Sequence, residues 1–211
     1  MLVAMSRFMA AVYDRFMLSA ERACFSRWRE ELLSALTGRV LEVGAGTGAN
    51  LAHYPSTIES VTLCEPDAHM RQKLEAHARD RRAFTVTVST AAAERLPFED
   101  RSFDAVVCTL VLCSVGDPRA ALAEMRRMLV DGGSLVFIEH VAAHDNPSRL
   151  RWQRRIEPAW KHVAGNCHLT RETEATIRAS GFELESVTRE SARTALPWVR
   201  PTIRGVAVKP R

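Results

Sequence analysis

The stretch Leu41-Glu42-Val43-Gly44-Ala45-Gly46-Thr47-Gly48 decides the fold. Its first residues close a short apolar strand that begins at Arg39. Alternating glycines then give way to Ala49-Asn50-Leu51, which reads as a helix continuing through Leu51. A strand that runs through glycines into a helix is the opening unit of a parallel α/β sheet. Glycine lets the backbone turn tightly and approach a ligand. A helix that starts directly after such a turn offers unpaired N–H groups to it.

Outward from this turn, strands and helices alternate. Ser60–Cys64 reads as a second strand, and Pro66-Asp67 opens a helix to about Asp80. Phe84–Val88 is a third strand with alternating β-branched residues. Phe103–Leu110 is a fourth, continuously apolar as in a strand covered on both faces. Asp117-Pro118 places an N-cap and a first-turn proline before a helix to Val130, and Asp131-Gly132-Gly133 reads as a turn. Ser134–Val141 is a fifth strand. The tail holds a helix over 149–163, then one over Arg171–Ala179 with Thr170 as N-cap and Gly181 as its stop. Glu183–Arg189 and Ile203–Val208 close it as an antiparallel hairpin. The pattern predicts a doubly wound, mostly parallel seven-stranded sheet with that hairpin at its end. Ligands then bind at the carboxyl edge of the strands. Residues 1–37 read as amphipathic helices, with Phe8, Val12, Phe16 and Leu18, then Phe25, Trp28 and Leu32, near helical spacing. They precede a single domain over 38–211, a length that suits one core.

Composition narrows the setting. Five cysteines, Cys24, Cys64, Cys108, Cys113 and Cys167, form no CxxC pair, so a zinc ribbon and a thioredoxin motif are unsupported. Scattered thiols in odd number suit a reducing, cytoplasmic compartment. No secretory signal is visible, and no apolar run approaches the ~18 residues of a spanning helix. The net charge of +4 is too modest to point to nucleic acid. Neither paired carboxylates nor a histidine cluster with ligand spacing falls near the carboxyl edge, so no metal is expected.

The turn by itself leaves two cofactor classes open. Gly44, Gly46 and Ala49 also satisfy the dinucleotide fingerprint G-x-G-x-x-[GA]. Glu65, 21 residues after Gly44 and followed by Pro66, suits either class, since a carboxylate there accepts both ribose hydroxyls of an adenosine. Glu42 tips the balance. A carboxylate two residues before Gly44 can organise the turn amides and face a ligand ammonium, where a dinucleotide site carries an apolar residue.

Ala92-Ala93-Glu94-Arg95-Leu96-Pro97-Phe98 and the closing hairpin resemble the class I methyltransferases that use S-adenosylmethionine. The resemblance implies that Ala92, Ala93 and Glu94 lie beside the adenine. Many members carry aspartate where Ala92 stands, which leaves adenine recognition here to backbone groups. It also implies that Cys108, Thr109 and Leu110 meet the cofactor after the fourth strand, with Glu42, Gly44, Ala45, Gly46, Gly48, Glu65 and Pro66 around the turn.

A narrower resemblance covers residues 38–210. It rests on the turn with Tyr54-Pro55 after it, on Val107–Val115, and on Glu139-His140-Val141-Ala142-Ala143. Pro158-Ala159-Trp160, Cys167–Glu172, Val199-Arg200-Pro201 and Gly205–Lys209 extend it. These segments are similar to the methyltransferase-like 7 group, thiol S-methyltransferases of animal membranes. The implied reaction methylates the sulfur of a small hydrophobic thiol. The front departs from that group: Tyr13-Asp14-Arg15-Phe16 resembles the cofactor-covering, membrane-touching helix of bacterial phospholipid N-methyltransferases. A phospholipid or quinone-type methyltransferase at the membrane surface therefore stays open as an acceptor class, and a nicotinamide-dependent oxidoreductase as a more distant one. Tyr13, Phe16, Trp152, Trp160 and His168 are the candidate substrate contacts. His140 is the candidate base, because an imidazole with a pKa near ~6.5 at the end of the fifth strand suits proton removal at neutral pH. Arg149–Ile156 is basic with interleaved Trp152, a pattern shared by helices on anionic lipid and by solvated helices whose tryptophans fill the core.

Overall fold

The computed structural model describes residues 14, 15, 17–79 and 83–211. Its strands are β1 (Gly38–Val43), β2 (Ile58–Cys64), β3 (Thr85–Ser89), β4 (Phe103–Thr109), β5 (Leu129–His140), β6 (Glu183–Ser191) and β7 (Pro201–Val208). They form one seven-stranded sheet in the order β3-β2-β1-β4-β5-β7-β6. β1 to β5 are parallel, and β7 runs antiparallel to both β5 and β6. This is the doubly wound sheet with a terminal hairpin that the sequence predicts. The order reverses beside β1, which opens the crevice of such sheets next to the glycine turn.

Alternate residues of the central strands feed two cores. Leu41, Val43, Val106, Cys108, Leu135 and Phe137 pack on one face, against helix α3 (Pro118–Met128). That helix turns Ala121, Leu122, Met125 and Met128 inward, an apolar stripe at helical spacing. Val40, Val61, Leu63, Val107 and Val136 pack on the other face, with Leu51, Tyr54 and Leu74 of the intervening segments. Leu74 belongs to α2 (Ala68–Ala78), whose Asp67 N-cap accepts the amides of His69 and Met70. Asp117 caps α3 in the same way, with Pro118 in its first turn. α4 (Pro147–Val163) and α5 (Thr173–Ala179) follow β5.

At the front, a π-helical turn over Glu21–Phe25 leads into α1 (Ser26–Leu33). Phe25 and Trp28 pack edge to face at 5.1 Å and bury themselves with Ala20 and Cys24 against Ile138 and Ala192. The expected helical spacing of Phe25, Trp28 and Leu32 is therefore realised, whereas Phe8, Val12 and Phe16 lie outside the described residues. No described helix is long and apolar enough to cross a membrane.

Three local expectations are overturned. No α-helix follows the glycine turn; residues 45–53 form successive tight turns, with Gly48 N–H donating to Ala45, Leu51 to Gly48 and His53 to Asn50 at 2.9–3.1 Å. Glycines weaken helix here, and Asn50 turns its side chain inward to Glu42. Asp131–Gly133 lies within β5: the ladder passes from Phe103 opposite Leu129 to Ala105 opposite Ser134, so the intervening residues loop out of register. Thr170 does not cap α5. Its amide and hydroxyl both donate to Glu157, at 2.8 and 2.7 Å, and α5 begins at Thr173.

Candidate active site

The glycine turn sits at the carboxyl end of β1. Gly44 has φ +67°, and a Cβ there would lie 2.4 Å from Val111 Cγ2, so the loop after β4 closes against bare backbone. Gly46 has φ +58°, but the atom nearest its absent Cβ is Met70 Cε, 3.9 Å away. Space is therefore open beside Gly46. Glu65 stands at the rim of that space, with Oε2 accepting the Gly46 N–H and Oε1 the Asp67 N–H, both at 2.8 Å. Burial pushes its carboxyl above the ordinary range, while the two amides pull the other way. Ala45 N–H donates to Cys64 O at 2.9 Å, which fastens the turn to the end of β2.

Glu42 is fully buried and serves a different set of groups from those expected. Its carboxylate accepts Asn50 Nδ2 at 2.9 Å and the Tyr54 hydroxyl at 2.7 Å, rather than the turn amides. Burial raises its pKa to about 7, against the opposing pull of Tyr54, Asn50 and Arg29. Arg29 is buried too. One nitrogen donates to Asn50 Oδ1 at 2.6 Å and Thr109 Oγ1 at 3.0 Å, and its far side pairs with Glu21 at 2.9 Å. α1 is thereby tied to the turn and to the end of β4. Asp14 adds an outer tie, accepting Thr47 Oγ1 at 2.7 Å and Lys73 Nζ at 2.8 Å.

The loop after β4 hangs from a residue that sequence reading treated only as part of a motif. Glu139, with no exposed surface, accepts the amides of Val111, Leu112 and Cys113 at 2.8–3.0 Å. Burial raises its pKa, and those amides oppose the shift. The same carboxylate accepts Cys108 Sγ at 3.4 Å, so the Cys108 side chain belongs to the core. Leu110 adopts φ +60°, and its N–H donates to Ile138 O at 2.7 Å. In the loop after β3, Ala92 bridges to Arg95. Ala93 is buried there, and Glu94 turns to accept Gly116 N–H at 2.9 Å.

On the other side of β5, His140 ends its strand half-buried, with Nδ1 3.9 Å from Cys167 Sγ. One ligating atom each of Cys113, His140 and Cys167 lies within 4.8 Å of the others. Spacing along the chain offered no sign of this cluster, because the three residues come from two separate loops and a strand end. His168 N–H donates to Cys113 O at 2.7 Å. Its Nδ1 lies 3.4 Å from Glu157 Oε1, with burial and Arg171 pushing the imidazole pKa down. Trp160 stacks edge to face on Trp198 at 5.9 Å. Trp152 is 58% exposed, which removes the core-filling alternative for it, because α4 presents it outward among arginines. Tyr13 and Phe16 lie outside the described residues.

Sequence reading missed Arg29, Asn50 and Tyr54 as site residues. Arg29 sits in a helix rich in charge and reads as solvated. Glu139 did leave a signal, a lone acid at the end of the apolar run Leu135–Ile138. A cavity of about 610 Å³ opens elsewhere, where Val141–Asp145 meet α5 and the end of β6, and shares no residue with the glycine turn.

Residues 41–137 match the family model described as a methyltransferase domain. The chain is 39% identical over 197 residues to the Rattus norvegicus thiol S-methyltransferase TMT1B, covering 92% of this chain and 80% of that protein. It is 36% identical over 200 residues to the Homo sapiens thiol S-methyltransferase TMT1A, covering 94% and 82%. Among solved structures, the N-methyltransferase NodS from Bradyrhizobium japonicum superposes with a TM-score of 0.68 at 20% identity, covering 92% of this chain and 98% of that one. The last is a likeness of fold.

Proposed function

The chain belongs to the S-adenosylmethionine-dependent methyltransferases, and we propose that its acceptor is the sulfur of a small hydrophobic thiol. The observation that carries this acceptor is the similarity to two named thiol S-methyltransferases along nearly the whole chain.

The cofactor fits the residues at the β1 end. The open space beside Gly46 and the Glu65 carboxylate at its rim suit an adenosine ribose. Gly44, Ala45, Gly46 and Gly48 would line the methionine part, with Glu42 beneath. Pro66, Ala92, Ala93 and Glu94 would flank the adenine, and Cys108, Thr109 and Leu110 would meet the cofactor through backbone. Bound there, S-adenosylmethionine supplies a methyl group already activated by its sulfonium. The protein's own work is then to orient the acceptor in line, exclude water and favour the thiolate. A free thiol with a pKa near ~8.5 is mostly protonated at neutral pH, and the thiolate is the nucleophile. His140 is the residue we place beside the acceptor to favour its thiolate, with His168 and Trp160 on the acceptor side. Tyr13 and Phe16, which lie outside the described residues, are the remaining acceptor contacts in this reading.

α4 supports a peripheral contact with lipid. Arg151, Trp152, Arg154 and Arg155 are all exposed on it, an aromatic among cations as on helices that rest on anionic headgroups. Such a surface would bring hydrophobic thiols to the enzyme.

Incubation of the full chain with S-adenosylmethionine tests the acceptor, offering alkyl thiols, phosphatidylethanolamine vesicles and a demethylated quinone in parallel. Methyl thioether is the expected product. Methylated headgroup or quinone with no thioether would overturn the proposal.

A further inference from the structure

Cys113, His140 and Cys167 arrive from three places: the loop after β4, the end of β5, and the connection between α4 and α5. Each is held by the backbone around it. Cys113 N–H is fixed by Glu139 at 3.0 Å, one residue before His140. Cys113 O accepts His168 N–H at 2.7 Å, and Asn166 Nδ2 donates to Ser114 O at 2.7 Å, so the connection carrying Cys167 is strapped to the Cys113 loop. Cys113 is 1% and Cys167 6% exposed.

The spacing suits a tetrahedral ion. With zinc–sulfur bonds of about 2.3 Å and zinc–nitrogen bonds of about 2.0 Å, a sulfur and a nitrogen ligand stand about 3.5 Å apart. His140 Nδ1 and Cys167 Sγ are already 3.9 Å apart. A shift of a few tenths of an ångström would bring that edge to the length a tetrahedron needs. The donor set is soft, two sulfurs and an imidazole without a carboxylate, which selects zinc over magnesium or calcium. Two thiolates and a neutral imidazole also balance a divalent charge, and a buried site needs that balance. Three protein ligands leave the fourth position free, the arrangement of reactive rather than structural zinc sites.

We propose that Cys113, His140 and Cys167 bind one zinc ion, with an open position that takes the sulfur of the acceptor thiol. The binding site stands on the cluster alone; the acceptor's place on it rests on the thiol reading above. When the thiol enters, its S–H bond breaks, a zinc–sulfur bond forms and the proton leaves to water. His140 then favours the thiolate as a ligand of the ion, without taking the proton itself. Sequence spacing had argued against any metal, because ligands separated by 27 residues on each side form no motif.

The test uses the full chain, reduced and stripped of metal, titrated with cobalt(II) and then zinc(II). One equivalent of cobalt should bind with the visible bands of a tetrahedral thiolate complex, and zinc should displace it. Cys113→Ser and Cys167→Ser should each weaken binding by at least roughly a hundredfold. Cys24→Ser, which removes a thiol far along the chain, should leave it intact. A wild-type chain that binds no cobalt, or serine variants that bind it equally, overturns the site; the wild-type spectrum decides even if a variant fails to fold. Ethanethiol should shift the cobalt bands, and unchanged bands would overturn the open position. Cobalt bound without methylation of any thiol would keep the metal site and sink the acceptor reading. Thiol methylation at full rate by metal-free protein would keep the acceptor reading and sink the role of the ion.

Discussion

Glu42 and the glycines beside it show how single residues set the chemistry of the β1 end. The Glu42 carboxyl keeps its proton to about pH 7 in the folded chain, against a reference value of 4.5. The folded state thus binds more protons than the unfolded one between those values, and stability falls as pH rises through them. The contribution is fully present below pH 4.5 and gone above about 7. Its size is at most about 3 kcal/mol. Glu42→Gln carries no titrating group, so urea unfolding at pH 4.5 and 7.5 should show a smaller loss of stability than the wild type over this interval. The two turn glycines should separate in kind. Gly44→Ala meets Val111 at 2.4 Å as well as a left-handed φ, and Val111→Ala should relieve part of its cost. Gly46→Ala meets no close atom, so it should cost only about 1–2 kcal/mol of backbone strain. Its methyl would nevertheless enter the open space, and calorimetry should find S-adenosylhomocysteine binding weakened at least about tenfold, equivalent to 1.4 kcal/mol.

At the scale of elements, two buried charges hold loops and helices in place. Glu139 satisfies three amides of the loop after β4, and its replacement leaves them buried and unpaired. An unsatisfied buried donor costs about 1–3 kcal/mol, so Glu139→Ala should lose on the order of 3–5 kcal/mol in denaturant unfolding. Arg29 couples α1 to Asn50 and Thr109, and Arg29→Ala should cost about 2–3 kcal/mol for the same reason. Asp14 makes comparably short bonds, yet it is well exposed, and water screens it. Asp14→Ala should change stability by less than about 1 kcal/mol. If the front segment is a lid, the same Asp14 variant should release S-adenosylhomocysteine faster at nearly unchanged stability; stopped-flow release reads the two effects apart.

For the molecule as a whole, the exposed basic face of α4 bears on where the enzyme works. Trp152→Ala should leave folding unchanged, since the side chain is 58% exposed, and should reduce cosedimentation with anionic vesicles several-fold. Equal pelleting of variant and wild type would remove α4 from the membrane reading. The mostly parallel sheet, the hairpin and the capped starts of α2 and α3 were legible along the chain, because apolar periodicity, Asp67, Asp117 and Pro118 act locally. The turn glycines were legible for the same reason, since a left-handed φ is a requirement of the residue itself. The helix expected after the turn was not borne out, because Asn50 found a buried partner that no local propensity encodes. Trp152 reads as a core residue by type, and only the orientation of α4 exposes it. What the sequence by itself determined is therefore the sheet and its carboxyl-edge turn, carried by short-range patterns, and the cofactor class, carried by the resemblance to class I methyltransferases. Only the tertiary structure decided which polar groups meet inside: Glu42 with Asn50 and Tyr54, Arg29 with Asn50 and Thr109, Glu139 with the loop amides, and Cys113 with His140 and Cys167. Those meetings join residues distant along the chain, and folding brings them together by burying the apolar faces around them.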